Sequence, residues 1–131
     1  MGRASREAAR MDTIVIAVVG VFFLAMGGYA LVAPAALARP FRLRVQSPEA
    51  RSEVRAVYGG FGIAIAAVLG LAAADIGGVR AGVVLAVAAA LAGMALGRLI
   101  SRVVDAGTAF YPIWFYFCVE LLAAALLFTA R

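Results

Sequence analysis

The sequence contains neither histidine nor lysine, and it has a single cysteine, Cys118, among its 131 residues. One cysteine cannot form a disulfide within the chain, so cysteine usage says nothing about the redox compartment. Without histidine, the chain cannot build a nucleophile–histidine pair, and it lacks the usual ligands of haem, copper and structural zinc sites. No glycine-rich loop follows a strand pattern to hold a phosphate group. We therefore expect a protein that is not an enzyme and that requires no metal or organic cofactor.

Charged residues are also scarce, at 15% of the chain, whereas hydrophobic residues make up 66% and the mean hydropathy is +1.03. A soluble domain usually has about 25% charged and about 45–50% apolar residues. This composition excludes a disordered chain, a disulfide-rich scaffold and an ordinary soluble enzyme, and it indicates an integral membrane protein. The net charge of +5 comes from arginines near apolar stretches, which is ordinary beside anionic lipid. It gives no reason to expect nucleic acid as a partner.

Four apolar stretches are long enough to cross a membrane as helices. They cover about residues 13–33, 54–74, 79–100 and 110–130. Each is close to the ~20 residues that a helix needs to cross a hydrocarbon core of ~30 Å. The first stretch is longer than the ~7–15 apolar residues of a signal peptide, so we expect it to remain as a span. The sequence thus predicts an all-α, polytopic membrane protein, a four-transmembrane-helix bundle in a single domain over residues 1–131.

Turn-forming residues separate the predicted spans. Pro34 and Pro40 end the first helix and open a polar connecting loop over about residues 34–53. Within this loop, residues 41–46 alternate apolar side chains with arginine and glutamine, which is typical either of a segment at the membrane interface or of an irregular surface loop. The sequence Asp-Ile-Gly-Gly at 75–78 predicts a tight turn, so the second and third spans should form an antiparallel hairpin.

The distribution of arginine leaves the orientation in the membrane open. An even number of spans places both termini on one side, which then carries Arg3, Arg6, Arg10, Arg80 and Arg131. The opposite side carries Arg39, Arg42, Arg44, Arg51, Arg55, Arg98 and Arg102. The positive-inside rule needs a larger difference than this one, and it favours the second side for the cytoplasm only slightly.

Small residues recur at every fourth position in the second and third spans. They do so over residues 62–70 in the second span and over residues 82–90 and 89–97 in the third. Residues four apart share a helix face, and small ones let two helix backbones approach closely. Such a face can serve a dimer or form a groove for a lipid or pigment. The interpretation that we favour is packing of the second and third spans against each other.

Glu120 is the one acidic residue well inside a predicted span, near the middle of the fourth. An acidic residue at the helix centre costs ~2.5–3.5 kcal/mol on insertion scales, so it normally faces the bundle interior with a partner. Arg55 and Arg98 enter the membrane from the end at which the fourth span begins. Either arginine can therefore offer Glu120 a bidentate guanidinium.

Tyrosine and tryptophan collect in the same half of the predicted bundle. Tyr116 lies four residues before Glu120 and shares its helix face. We predict an intramembrane polar cluster that is either an ion pair fixing helix register or a ligand site. Rings near span ends favour the membrane interface, and the predicted interfacial anchors are Tyr29, Tyr111 and Trp114. The members of the predicted cluster are Arg55, Tyr58, Arg98, Tyr116 and Glu120.

Two stretches of the chain carry a family resemblance. Residues 52–60, with the sequence SEVRAVYGG, and Gly62 after them resemble the signature that opens the second helix in a bacterial family of small four-span membrane proteins. That family is described as a domain of unknown function. The stretch Gly27-Gly28-Tyr29 with Pro34, and the late helix that carries Glu120, resemble the same family.

The resemblance covers the chain from about residue 13 onward, and it implies a four-span fold. It adds weight to Arg55, Tyr58 and Glu120, and it implies no catalytic residue. The architecture is also similar to that of DoxX-like four-helix proteins. This second resemblance implies an accessory role near membrane redox complexes.

The sequence supports more than one function. We first expect a non-catalytic accessory or assembly subunit of a larger complex in the bacterial cytoplasmic membrane, bound to other subunits or to a second copy. The alternative is a small transporter, or a protein that binds a lipid, quinone or pigment through Glu120 with Arg55 or Arg98. A third hypothesis is a membrane enzyme that holds a lipid or quinone with tyrosine and arginine.

Overall fold

A computed structural model describes residues 2–130, and every regular element in this part of the chain is helical. Four helices are long and apolar enough to cross a membrane. The predicted fold class, an all-α bundle of four such helices, is confirmed. Met1 and Arg131, the ends of the predicted domain, lie outside the described residues. The helices are α1 (Arg3–Val32), α2 (Pro34–Ala38), α3 (Pro48–Ala73), α4 (Arg80–Val104) and α5 (Phe110–Thr129).

Two of the long helices begin earlier than the hydropathy predicts. Helix α1 begins at Arg3 rather than near residue 13, and its first turns are polar and exposed. Helix α3 begins at Pro48 rather than near residue 54, because the Ser47 side chain caps it by accepting a hydrogen bond of 3.0 Å from the Ala50 N–H. Hydropathy finds the apolar span, whereas capping residues and helix propensity decide where the helix begins.

The connection between α1 and α3 is only partly the polar loop that the sequence predicts. It contains α2 and a 3-10 turn at Arg39–Phe41, and the first turns of α3 take its last residues. Leu37, Ala38 and Val45 are buried together with Ala30 of α1 and Val54 of α3. Residues 43–46 have no regular structure, and all of them except Val45 are exposed. This part agrees with the irregular surface loop that the sequence allows, and a place at the membrane interface stays a prediction.

Small residues do bring two helices close together, but the helices are α1 and α3 rather than α3 and α4. A Cβ atom on Gly27 would lie 2.9 Å from both the Gly59 carbonyl oxygen and the Ile63 amide nitrogen. A Cβ atom on Gly62 would lie 3.1 Å from the Gly27 Cα. In α4, by contrast, Cβ atoms on its three glycines would meet nothing within 4 Å. The small-residue face of α4 therefore points away from the bundle.

The end of the bundle near the α3–α4 turn is tightly packed, and we call it the closed half. Ile16 of α1, Leu69 of α3, Val84 of α4 and Leu127 of α5 meet there and are fully buried. One aliphatic side chain from each long helix thus fills the bundle axis. The opposite end contains Glu120 and is described below.

Arg80 closes the end of α3 in the closed half. It donates from Nε to the Ala72 carbonyl oxygen at 2.9 Å and from Nη2 to the Ala73 carbonyl oxygen at 2.9 Å. Nη2 also lies 3.3 Å from the Thr13 hydroxyl of α1. The last carbonyls of a helix have no partner within it, and in hydrocarbon an unpaired carbonyl is costly. Arg80 supplies those hydrogen bonds and ties α1 to the turn.

Candidate functional site

The site is built around a bidentate ion pair between α4 and α5. Arg98 donates from Nε to Glu120 Oε2 at 2.8 Å and from Nη2 to Glu120 Oε1 at 2.7 Å. Glu120 is 3% exposed and is the one charged residue that is buried within residues 2–130. Both carboxylate oxygens accept a charge-assisted hydrogen bond, which is the arrangement that lets a carboxylate lie at this depth.

Two aromatic rings flank the Arg98 guanidinium. Its Cζ lies 5.9 Å from the centroid of Phe41 and 5.8 Å from that of Tyr116, and the two rings are 5.5 Å apart. A cation this close to aromatic rings is attracted by their π-electrons. Phe41 comes from the connection after α2, and it is not a member of the predicted cluster. The signal for it was a large aromatic side chain at the start of the segment that alternates apolar residues with arginine and glutamine.

A cavity of about 360 Å³ lies next to the ion pair. Its polar end is formed by Tyr58, Arg98, Tyr116 and Glu120. The remaining walls are apolar and come from α1, α2, α3 and α4 and from the segment after α2. The larger apolar side chains that line it include Phe22, Phe23, Met26, Phe41, Phe61 and Met94. This end of the bundle, with its cavity, is called the open half.

The cavity opens sideways between α3 and α4. Tyr58 and Phe61 of α3 line it and are 45% and 56% exposed, and Met94 of α4 lines it and is 48% exposed. The side chains at the back, Leu37 and Ala38 of α2, are buried. Because these exposed residues belong to helices of membrane-spanning length, the opening faces the region that lipid would occupy.

Arg55 is a member of the predicted cluster, but it is not part of this group. Its Nε donates a hydrogen bond of 3.0 Å to the Leu31 carbonyl oxygen near the end of α1. Arg55 shares a helix face with Gly59, where a Cβ atom would lie 2.6 Å from Leu31 Cδ2. That face is turned toward α1, whereas Tyr58 lines the cavity. Residues 55–60 of α3 are π-helical, a form that often occurs at functional sites.

The three predicted interfacial anchors lie near the same end of the bundle. Tyr29 and Tyr111 are exposed, and Trp114 is half-buried with its ring centroid 5.5 Å from that of Phe117. Trp114 also lines a second cavity of about 350 Å³ with Arg98 and Arg102. The role of Tyr29, Tyr111 and Trp114 as anchors at a membrane surface stays a prediction.

A comparison with protein families gives a match over nearly the whole chain. The profile of DUF4345, a domain of unknown function, matches residues 11–131. The chain belongs to the DUF4345 family. Neither curated proteins nor solved structures give a match to it. All the residues that form the ion pair and the cavity lie within the DUF4345 match. The DUF4345 description assigns no activity.

Proposed function

We propose that the protein binds a lipid-soluble molecule inside the membrane, in the cavity beside the Arg98–Glu120 pair. The observation that carries this proposal is an apolar cavity of about 360 Å³ with one polar end. Binding sites for small molecules are typically mostly apolar concavities of this size with a few polar groups that orient the ligand. Ionisable residues inside a membrane-spanning segment are also functional candidates by default.

The contrast in burial within the ion pair supports binding over a purely structural role. The Glu120 side chain is 5% exposed, whereas that of Arg98 is 19% exposed. Arg98 lines the cavity. A pair that only fixed helix register would be more stable if both partners were enclosed by the protein, because polar groups in hydrocarbon need hydrogen bonds.

The position of the opening supports a ligand that arrives from the bilayer. The cavity opens between α3 and α4, and the closed half blocks the bundle axis with Ile16, Leu69, Val84 and Leu127. Passage along the axis would require those four side chains to separate. Binding without transport is therefore the proposal that we favour over a transporter. With no histidine in the chain, we also propose that binding is not coupled to catalysis by this chain alone.

Filling the cavity provides the test. Met94→Trp adds an indole to its wall, and Leu96→Trp adds the same group to α4 at an exposed position outside the cavity. Each protein is purified in mild detergent, and its bound lipid-soluble molecules are extracted and quantified by mass spectrometry. We expect at least one species to be retained by the wild type and by Leu96→Trp, and to be reduced about tenfold in Met94→Trp. Equal retention by all three proteins would contradict the proposal.

A second function, that of an accessory subunit, is supported by the small-residue face of α4. Ala86, Ala90, Gly93 and Gly97 are exposed, and Cβ atoms on the two glycines would meet nothing within 4 Å. Small residues of this kind let a partner helix approach closely in a membrane. Under this proposal the ligand-binding chain is a component of a larger membrane complex.

The accessory role is tested by placing a large side chain on the small-residue face of α4. Gly93→Leu places a large side chain on it, whereas Gly70→Leu does so on the outer side of α3, where the space is equally open. After purification from native membranes in mild detergent, we expect the wild type and Gly70→Leu to retain stoichiometric partners and Gly93→Leu to lose them. A wild-type protein that purifies alone as a monomer would count against the accessory role and leave the binding proposal intact.

A further inference from the structure

The hydrogen bonds of Arg98 define what kind of ligand the cavity accepts. A guanidinium has five N–H groups, and Arg98 uses one on Nε and one on Nη2 for Glu120. The three that remain make no further hydrogen bond within residues 2–130. We infer that the ligand is an uncharged molecule with a hydrogen-bond-accepting carbonyl at one end, held by these N–H groups. This inference rests on the proposed binding function and specifies the chemistry of the ligand.

The charge balance of the cavity excludes a charged head group. Arg98 and Glu120 are the charged residues that line it, and their charges cancel. An anion placed there would approach a cation that Glu120 already neutralises, and a cation would approach a carboxylate whose two oxygens already accept hydrogen bonds. A buried charge without a counter-charge is costly.

A carbonyl group fits where a charge and a bare hydrocarbon do not. Its oxygen accepts a hydrogen bond from a charged donor, which is stronger than a bond between neutral groups. A bare hydrocarbon would displace water from Arg98 and leave its N–H groups without acceptors. Tyr58 and Tyr116 line the same end, and the apolar walls then accommodate the rest of the molecule.

The test uses four probes that share a twelve-carbon chain and differ in the head. They are dodecane, methyl dodecanoate, dodecyl phosphate and dodecyltrimethylammonium, each added at low mole fraction to the full-length protein in lipid nanodiscs. Methyl-¹³C methionine supplies the NMR signals. Met26 and Met94 line the cavity, and Met11 lies in the exposed first part of α1 as an internal control.

We expect methyl dodecanoate to shift the signals of Met26 and Met94, with no change at Met11. Its affinity, as a mole fraction in the bilayer, should exceed that of dodecane and of either charged probe by about tenfold. That factor corresponds to one hydrogen bond from a charged donor.

The possible results separate the two proposals. Equal affinity of dodecane and methyl dodecanoate, or tighter binding of a charged probe, would overturn the inference about the head group and leave the binding function standing. If none of the four probes moves the signals of Met26 and Met94, the binding function itself fails.

Glu120→Gln sharpens the test by leaving the Arg98 charge uncompensated. We expect the preference to change to dodecyl phosphate, by at least tenfold relative to wild type, and an unchanged preference would contradict the charge argument. If this variant does not fold, Arg98→Met combined with Glu120→Leu replaces the pair by apolar side chains. In that protein methyl dodecanoate should bind no better than dodecane, and a retained preference for the ester would overturn the role of Arg98.

Discussion

The closed and open halves of the bundle are made from the same four helices, yet they pack in different ways. In the closed half, aliphatic side chains such as Leu69, Val84 and Leu127 meet on the axis and are fully buried. In the open half, the axis holds an ion pair, aromatic rings and a cavity of about 360 Å³.

The difference between the halves shows that apolar composition does not decide packing in a membrane protein. Lipid is as apolar as leucine, so helix association depends on shape and on polar contacts. In the closed half, shape complementarity holds the helices together. In the open half, α4 and α5 are joined by Arg98 and Glu120, and α1 and α3 meet at Gly27 and Gly59. The space between these two pairs is left for the cavity.

Breaking the ion pair should have the largest effect. Arg98→Ala leaves the Glu120 carboxylate buried without a partner, and we expect a loss of about 3–5 kcal/mol in the free energy of unfolding. Thermal unfolding of the purified protein in mild detergent measures it. Arg102→Ala, at an exposed position four residues later, is the control and should change stability by less than about 0.5 kcal/mol. Equal melting of the two variants would show that the pair does not hold the open half together.

Truncation of one side chain in each half tests the comparison directly. Leu69→Ala removes a fully buried side chain from the closed half and should cost about 2–3 kcal/mol, because the lost contacts leave a void. Phe61→Ala removes a larger side chain from the cavity mouth, where it is mostly exposed, and should cost less than about 1 kcal/mol. Both are read from denaturation curves under the same conditions. A larger loss of stability for Phe61→Ala than for Leu69→Ala would mean that Phe61 is packed among other side chains and that the open half has no cavity at this place.

The glycine contact between α1 and α3 should give a smaller effect. Gly27→Ala places a Cβ atom 2.9 Å from backbone atoms of α3, which must move, and we expect a loss of about 1–3 kcal/mol. Gly28→Ala, next to it, meets nothing within 4 Å and should leave the protein as stable as wild type or slightly more so. Thermal unfolding of the two variants decides the point, and similar melting temperatures would argue against the close helix contact.

Removing the ring beside Arg98 should have the smallest effect. Phe41→Leu keeps an apolar side chain but loses the attraction between the ring and the guanidinium, at a cost of about 0.5–1 kcal/mol. Leu43→Ala is the control, since Leu43 also lines the cavity but has no aromatic ring that could attract the Arg98 guanidinium. The measured quantity is again the unfolding free energy. A loss for Leu43→Ala as large as that for Phe41→Leu would assign the effect to cavity lining rather than to the ring.

The number and type of the helices followed from the sequence alone. Four long apolar stretches in a chain with few charges admit little besides four helices, since hydrocarbon requires backbone hydrogen bonds to be satisfied within each segment. Glu120 was identified from the sequence as a candidate site residue, because a carboxylate in such an apolar stretch needs a partner. The start of α3 was predicted near residue 54 and was wrong, although Ser47 and Pro48 carry the signal for the earlier start.

The partners of these residues were decided by tertiary structure. Arg55 and Arg98 both lie at a depth from which they could reach Glu120, but Arg55 is on the face of α3 that is turned toward α1 and donates to the Leu31 carbonyl oxygen. Of the two arginines, Arg98 is the one that meets the carboxylate. Phe41 reaches Arg98 only because α2 folds back onto the bundle. Periodicity along one helix fixes which residues share a face. Which face meets which neighbour depends on how all the helices pack together, and that arrangement places the cavity beside the ion pair in the open half.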